Sequence, residues 1–288
     1  MSIDIDSLVR RSARLEVEDI NFEAFRTKPL DPDTLRCLRY MHDVEGHTAC
    51  YMRHLLATRA HRDPEVTAFL ACWCYEEHWH GEAIAEVLRA HTEPGGRARL
   101  AATRQRLPKR DALRPVAFTL ASAVTPHIVA VHMTWGAVNE WSTQAGYGRL
   151  AAKAGHPVLS ELLRRIMRQE GRHIDFYALG ARTRLAQSAT ARHLTRLALR
   201  RYWAPVGAGV MPDAELRFLV THLFSDAEGR AATQRIDRLV DRLPGLGGLH
   251  LAEKALDELA TNSVPDRAWR AGAAVTDRSY EEGHRHAC

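Results

Sequence analysis

The chain has 288 residues, 45% of them hydrophobic and 26% charged, with a net charge of +5 at pH 7. That composition fits an ordinary globular protein with room for one large core, and its short, charge-interrupted apolar runs exclude a transmembrane helix. Arginine supplies most of the positive charge, but the one basic cluster, RARLAATRQRLPKRDALRP, lacks the interleaved aromatics of a nucleic-acid surface and reads as a solvated crossover.

The opening MSIDIDSLVRRSARLE has no basic-then-apolar order, so no secretory signal is expected. The five cysteines, Cys37, Cys50, Cys72, Cys74 and Cys288, have no CxxC spacing and read as reduced thiols of a cytoplasmic protein.

Strand patterning is almost absent, whereas Ala, Leu, Arg and Glu recur at helical spacing. Residues 1–30 read as an irregular N-terminal arm. LDPDTLRCL opens a first long helix, capped by Asp31 or Asp33 and running to about Ala60. HRDPEV opens a second, which EPGG stops after His91. A basic connector with a short helix leads to a third long helix, interrupted near Pro126, and GHPVLSELL begins a fourth that ends near Leu185. Shorter helices follow at about Ala189–Tyr202, Asp213–Leu223 and Ala227–Leu243, while PGLGG and residues 263–288 read as loose. The expected organisation is one all-α domain over 31–262, a four-helix core to about residue 185 with a helical extension after it.

The chemistry sits in CYEEHWHGEAI. Glu77 and His80, three residues apart, share a helical face with Phe69, Leu70, Trp73, Ile84 and Val87. A carboxylate on an apolar face must be compensated, because burying it alone is very costly. The fourth helix repeats the pattern: Glu170 and His173 share a face with Leu163, Ile166, Met167 and Tyr177. The first and third helices each add one inward acid, Glu45 and Glu140. Glu, then Glu-x-x-His, then Glu, then Glu-x-x-His, one set per long helix, is the donor order of a dinuclear carboxylate site in a four-helix bundle. Four carboxylates balance two divalent cations, and hard oxygen donors with one imidazole per metal suit two iron ions or a manganese–iron pair.

Glu76-Glu77-His78-Trp79-His80-Gly81-Glu82 resembles the E-E-x-x-H-G-D/E motif of the soluble acyl-ACP desaturases, and Glu170-Gly171-Arg172-His173 resembles their E-x-R-H. The stretch from LALRRYWAP to RLVDRLP is similar to their C-terminal helices, so the resemblance spans roughly Leu30 to Leu246. It implies a ferritin-like bundle, a di-iron centre held by Glu45, Glu77, His80, Glu140, Glu170 and His173, and oxygen-dependent C–H activation on an acyl chain. Thr143, three residues past Glu140, takes the place of the family's threonine, on the oxygen side of the metals, where it can pass a proton. A homodimer, a ferredoxin-like electron donor and an acyl carrier protein are also implied. Gln169 stands where the desaturases have an aspartate, which leaves the partner of His80 open, and Trp79 replaces an arginine. Relatives with the same donor set hydroxylate, oxidise amines or oxidise ferrous iron, so a tailoring hydroxylase or N-oxygenase and an iron-handling ferroxidase stand as alternatives.

Overall fold

A computed structural model describes residues 4–107 and 114–261; the loose tail expected at 263–288, Cys288 included, lies outside the described residues. The described residues form thirteen α-helices and no strand. Two short ones, α1 (Ile5–Arg11) and α2 (Ala24–Thr27), lie in the N-terminal arm, which is therefore not irregular throughout. Leu8, Leu15 and Phe25 bury against the bundle and explain why the arm is ordered.

The four-helix core consists of α3 (Pro32–Glu45) continued by α4 (Thr48–Leu56), then α5 (Pro64–Ala90), α8 (Ile128–Ala154) and α9 (Pro157–Gln187). Each start is written in local chemistry. Asp31 caps α3 by accepting from the N–H groups of Asp33 and Thr34, and Asp63 caps α5 by accepting from Glu65 and Val66, each with proline as the first helical residue. Gly155, at φ 56°, ends α8 in the left-handed conformation, and Pro157 opens α9 two residues later. That two-residue link forces α8 and α9 into an antiparallel hairpin, the most extensive helix pair in the molecule.

The first long helix is not continuous. It breaks at Gly46–His47, immediately after Glu45, where a Cβ on residue 46 would lie 2.1 Å from the Leu100 side chain of α6 (Gly96–Gln105). Glycine lets α6 approach at the turn. The expected interruption near Pro126 separates α7 (Arg114–Val124) from α8. Beyond the core, α10 (Ala189–Tyr202), α11 (Asp213–Phe224) and α12 (Ala227–Asp241) fall where the sequence places them. PGLGG is followed by a helix the sequence pattern did not reveal, α13 (Leu251–Thr261), whose first turn is capped from a distance by Asp237 accepting from the Ala252 and Glu253 N–H groups.

The buried apolar residues form two clusters. One gathers Phe69, Trp73, Met133 and Tyr177; the other gathers Leu38, Ile84, Leu163 and Ile166. Glu77, His80, Glu170 and His173 fall between the two along α5 and α9. No helix among the described residues is long and apolar enough to cross a membrane.

Candidate metal centre

Six buried side chains meet at the middle of the bundle. Glu45 comes from the last turn of α3, Glu77 and His80 from α5, Glu140 from α8, and Glu170 and His173 from α9; each is at most 5% exposed. They form two overlapping sets of four donors. Glu45, Glu77, His80 and Glu170 offer atoms within 4.8 Å of one another, and so do Glu77, Glu140, Glu170 and His173. Glu77 and Glu170 belong to both sets. Glu170 reaches His80 Nδ1 at 3.3 Å and His173 Nδ1 at 2.8 Å, while Glu77 reaches the same two atoms at 3.8 and 3.3 Å. Both imidazoles thus turn Nδ1 inward, toward carboxylates that lie between them.

Burial and mutual repulsion set the protonation of this cluster. Burial, then the charge on Glu77, holds the Glu45 carboxyl well above the ordinary carboxylate range. Burial, then Glu170 and Glu77, does the same to Glu140. Burial also acts against ionisation of Glu77, but its interactions with Glu45, His173 and His80 outweigh it and hold that carboxyl well below its ordinary value. Glu170 is held low against the same burial and against Glu77, by His173 and His80. Desolvation disfavours charge on the imidazoles, yet Glu170 and Glu77 push His80 up to about 9 and, with Glu76, raise His173 well above its ordinary value. Glu45 and Glu140 thus favour their protonated forms, while Glu77, Glu170 and the two imidazoles favour their charged ones.

The donor set fits two divalent cations. His80 Nδ1 and Glu170 Oε1 are buried polar atoms with no hydrogen-bond partner among the described residues, though they face each other at 3.3 Å. Such atoms are rare in a native interior without a compensating ligand. Four carboxylates with one imidazole per set are the oxygen-rich donors that iron and manganese prefer.

A shell of hydrogen bonds orients these groups. His80 Nε2 donates to Gln169 Oε1 at 2.9 Å, so glutamine serves where the sequence left the partner open. His173 Nε2 donates to Glu76 Oε2 at 2.8 Å, and Arg172 holds the other Glu76 oxygen at 2.6 Å. The sequence motif contains Glu76 without giving it a role; its adjacency to Glu77 was the available signal, since one helical step turns it toward α9. Two more donors were missed. Trp73 Nε1 donates to Glu140 at 3.0 Å, and the Tyr147 hydroxyl donates to Glu45. Both aromatics read as packing, because a ring N–H or O–H gives no periodic signal.

Thr143 lies outside both donor sets. It lines, with Glu45 and Tyr147, a cavity of about 70 Å³ whose other walls include Met41, Val220 and Leu223. Cys74 is half-buried one turn before Glu77, its thiol pushed up by burial and then by Glu77; Cys37 is fully buried, with its thiol pushed up to about 12. Neither is a poised thiolate.

No protein-family model and no curated protein sequence matches the chain. Among solved structures, the chain is similar to an R2-like ligand-binding oxidase, a point mutant with an aerobically reconstituted Mn/Fe cofactor. The match has a TM-score of 0.51 at 17% identity and covers 88% of this chain and 90% of that one. The fold is ferritin-like. At this identity the likeness establishes architecture alone, and the roles of individual residues rest on the geometry above.

Proposed function

We propose that this protein is a non-haem dinuclear oxidase, carrying two iron ions or a manganese–iron pair, that uses dioxygen to activate a C–H bond of an apolar substrate. The observation that carries the reading is the pair of four-donor sets sharing Glu77 and Glu170. The Mn/Fe cofactor of the structurally similar oxidase agrees with it.

In this reading Glu45, Glu77, His80 and Glu170 hold one metal and Glu77, Glu140, Glu170 and His173 hold the other. The bound pair supplies two-electron reduction of dioxygen and an oxidant strong enough for an unactivated C–H bond. The protein does the rest. Tyr147 donates to one oxygen of Glu45 and Trp73 to one oxygen of Glu140, which would orient both carboxylates toward a bound metal. The cavity beside Glu45 is lined mainly by apolar side chains and, at about 70 Å³, has room for only a short alkyl segment. Thr143 lies in the wall of that cavity, and in this reading its hydroxyl would relay a proton.

An acyl chain is the substrate class that the desaturase-like motifs imply. Desaturation would take two hydrogens from the chain and two electrons from a donor, reducing one dioxygen, with two protons, to two waters. Delivery on an acyl carrier protein, a ferredoxin-like donor and a homodimer belong to the same reading and rest on the motif resemblance. Arg168 on α9 is exposed and approaches Glu161 only at 3.9 Å, which leaves it available to an acidic carrier, whereas Arg165 is engaged by Asp19 and Glu161.

The test is anaerobic loading with Fe(II) followed by mixing with oxygen in a stopped-flow spectrometer, with and without a long-chain acyl carrier protein. A transient visible band that decays faster with the acyl carrier supports the proposal. Oxidation that ignores the acyl carrier and ends in a ferric mineral refutes it in favour of iron handling. Glu77→Ala and His173→Ala should each abolish uptake of two metals per chain.

A further inference from the structure

The N-terminal arm reaches the metal centre's outer hydrogen bonds through a single residue. Ala13 donates its N–H to Glu76 Oε1 at 3.3 Å, and its carbonyl accepts from Gln169 Nε2 at 3.1 Å. Those two side chains are the partners of His173 and His80. One peptide unit on each side of Ala13 therefore touches the support of both imidazoles. Further contacts pin the arm there: Leu15 is buried, the Arg14 guanidinium lies 4.5 Å from the Trp79 ring centre, and Arg165 of α9 binds the Glu16 carbonyl at 3.0 Å and Asp19 at 2.6 and 2.7 Å.

Gln169 makes this contact consequential. An aspartate or glutamate presents an acceptor to a histidine whichever way it turns, but a primary amide presents an oxygen on one side and N–H donors on the other. A peptide carbonyl can only accept, so Ala13 obliges Gln169 to turn its NH₂ toward the arm. Its oxygen then faces His80 and fixes a proton on Nε2, so Nδ1 is the nitrogen that yields its proton to a metal. With the arm lifted, the amide is free to flip, and its NH₂ would oppose the His80 N–H.

Resting on the metal-binding reading above, we propose that the N-terminal arm is a clasp that sets the presentation of the metal-binding histidines, with Gln169 as the positioning residue that makes His80 dependent on it. Arm docking and metal affinity are then coupled, each favouring the other.

The test titrates the full-length protein with Co(II) by absorbance and calorimetry, and follows hyperfine-shifted, exchangeable ring N–H signals of the Co(II)-loaded protein by NMR. Gln169→Leu should weaken one of the two equivalents by about 10–100-fold, the usual cost of losing an outer partner. It should also speed solvent exchange of one ring N–H while leaving the other. Arg165→Ala, which unpins the arm, should weaken both equivalents. Gln169→Glu should restore affinity and, because either carboxylate oxygen accepts, make the His80 position indifferent to Arg165→Ala. This double variant separates an amide-orienting clasp from a merely structural arm.

Wild-type affinity at both equivalents in Gln169→Leu, or in Arg165→Ala, overturns the clasp. So does a His80 position that responds to Arg165→Ala equally in the wild-type background and in the Gln169→Glu background. A wild-type protein that binds no Co(II) instead overturns the metal-site reading itself.

Discussion

Loading the centre should displace protons, and the number follows from the cluster. Burial and their ionised neighbours favour the protonated forms of Glu45 and Glu140, and Glu170 and Glu77 favour the imidazolium forms of His80 and His173. A metal ligand must present a lone pair, so each of the four gives up a proton when two metals bind. Up to four protons should leave per pair of metals. The product of the two binding constants should then rise by up to about four powers of ten per pH unit, or ~5 kcal/mol at 1.36 kcal/mol per proton and pH unit. The slope should flatten above about pH 9, where His80 has already lost its proton. Calorimetric titration in buffers of different ionisation enthalpy measures the proton count directly, and chelator competition across the pH range measures the slope. Glu45→Gln, which keeps an oxygen donor and removes one displaceable proton, should lower the count by one. Release of no more than one proton would refute the protonation pattern.

Further expectations concern stability and support. His80 binds protons more tightly folded than unfolded, with its folded value at about 9 against an ordinary 6.5. Its contribution to the stability of the metal-free protein is full below pH 6.5 and lost as pH rises through about 9, so chemical denaturation should show stability falling over that window. Glu76→Gln leaves His173 a weaker acceptor and Arg172 without its carboxylate; metal affinity at one equivalent should fall about 10–100-fold. Gly136→Ala places a Cβ 2.4 Å from the Tyr177 ring, and overpacking there should cost about 1–3 kcal/mol, seen as a lower Tm.

What the sequence made legible was periodic. Caps at Asp31 and Asp63 and apolar faces around Glu77, His80, Glu170 and His173 are patterns of local spacing, and the helices follow them. The break after Glu45 was hidden because its cause, Leu100 against Gly46, lies on another helix. α13 was hidden because its cap, Asp237, comes from the preceding helix rather than from its own first residues. The partners of the histidines illustrate the same divide. Gln169 looks like a loss when compared with an aspartate, and only the Ala13 carbonyl, distant in sequence, shows how an amide can serve instead.

Neutrality explains how such a centre can sit inside an apolar bundle. Four ionised carboxylates at this spacing would be intolerable without compensation, since charges buried unpaired cost many kcal/mol. With Glu45 and Glu140 protonated and both imidazoles charged, the metal-free cluster would carry two negative and two positive groups. The metal-bound cluster would carry four carboxylates, two neutral imidazoles and two divalent cations. Both sum to zero, so metals and protons exchange without a change in the charge buried between the two apolar clusters. The helices that carry the donors are fixed by caps, by glycine approaches and by packing on either side, none of which involves a metal. The bundle should therefore fold before it is loaded, with the donors already converging, and metal uptake should sharpen the thermal transition without creating helix. Circular dichroism of the chelator-treated protein decides this: near-native helicity agrees, and a largely unfolded chain shows that the cations themselves hold the bundle together.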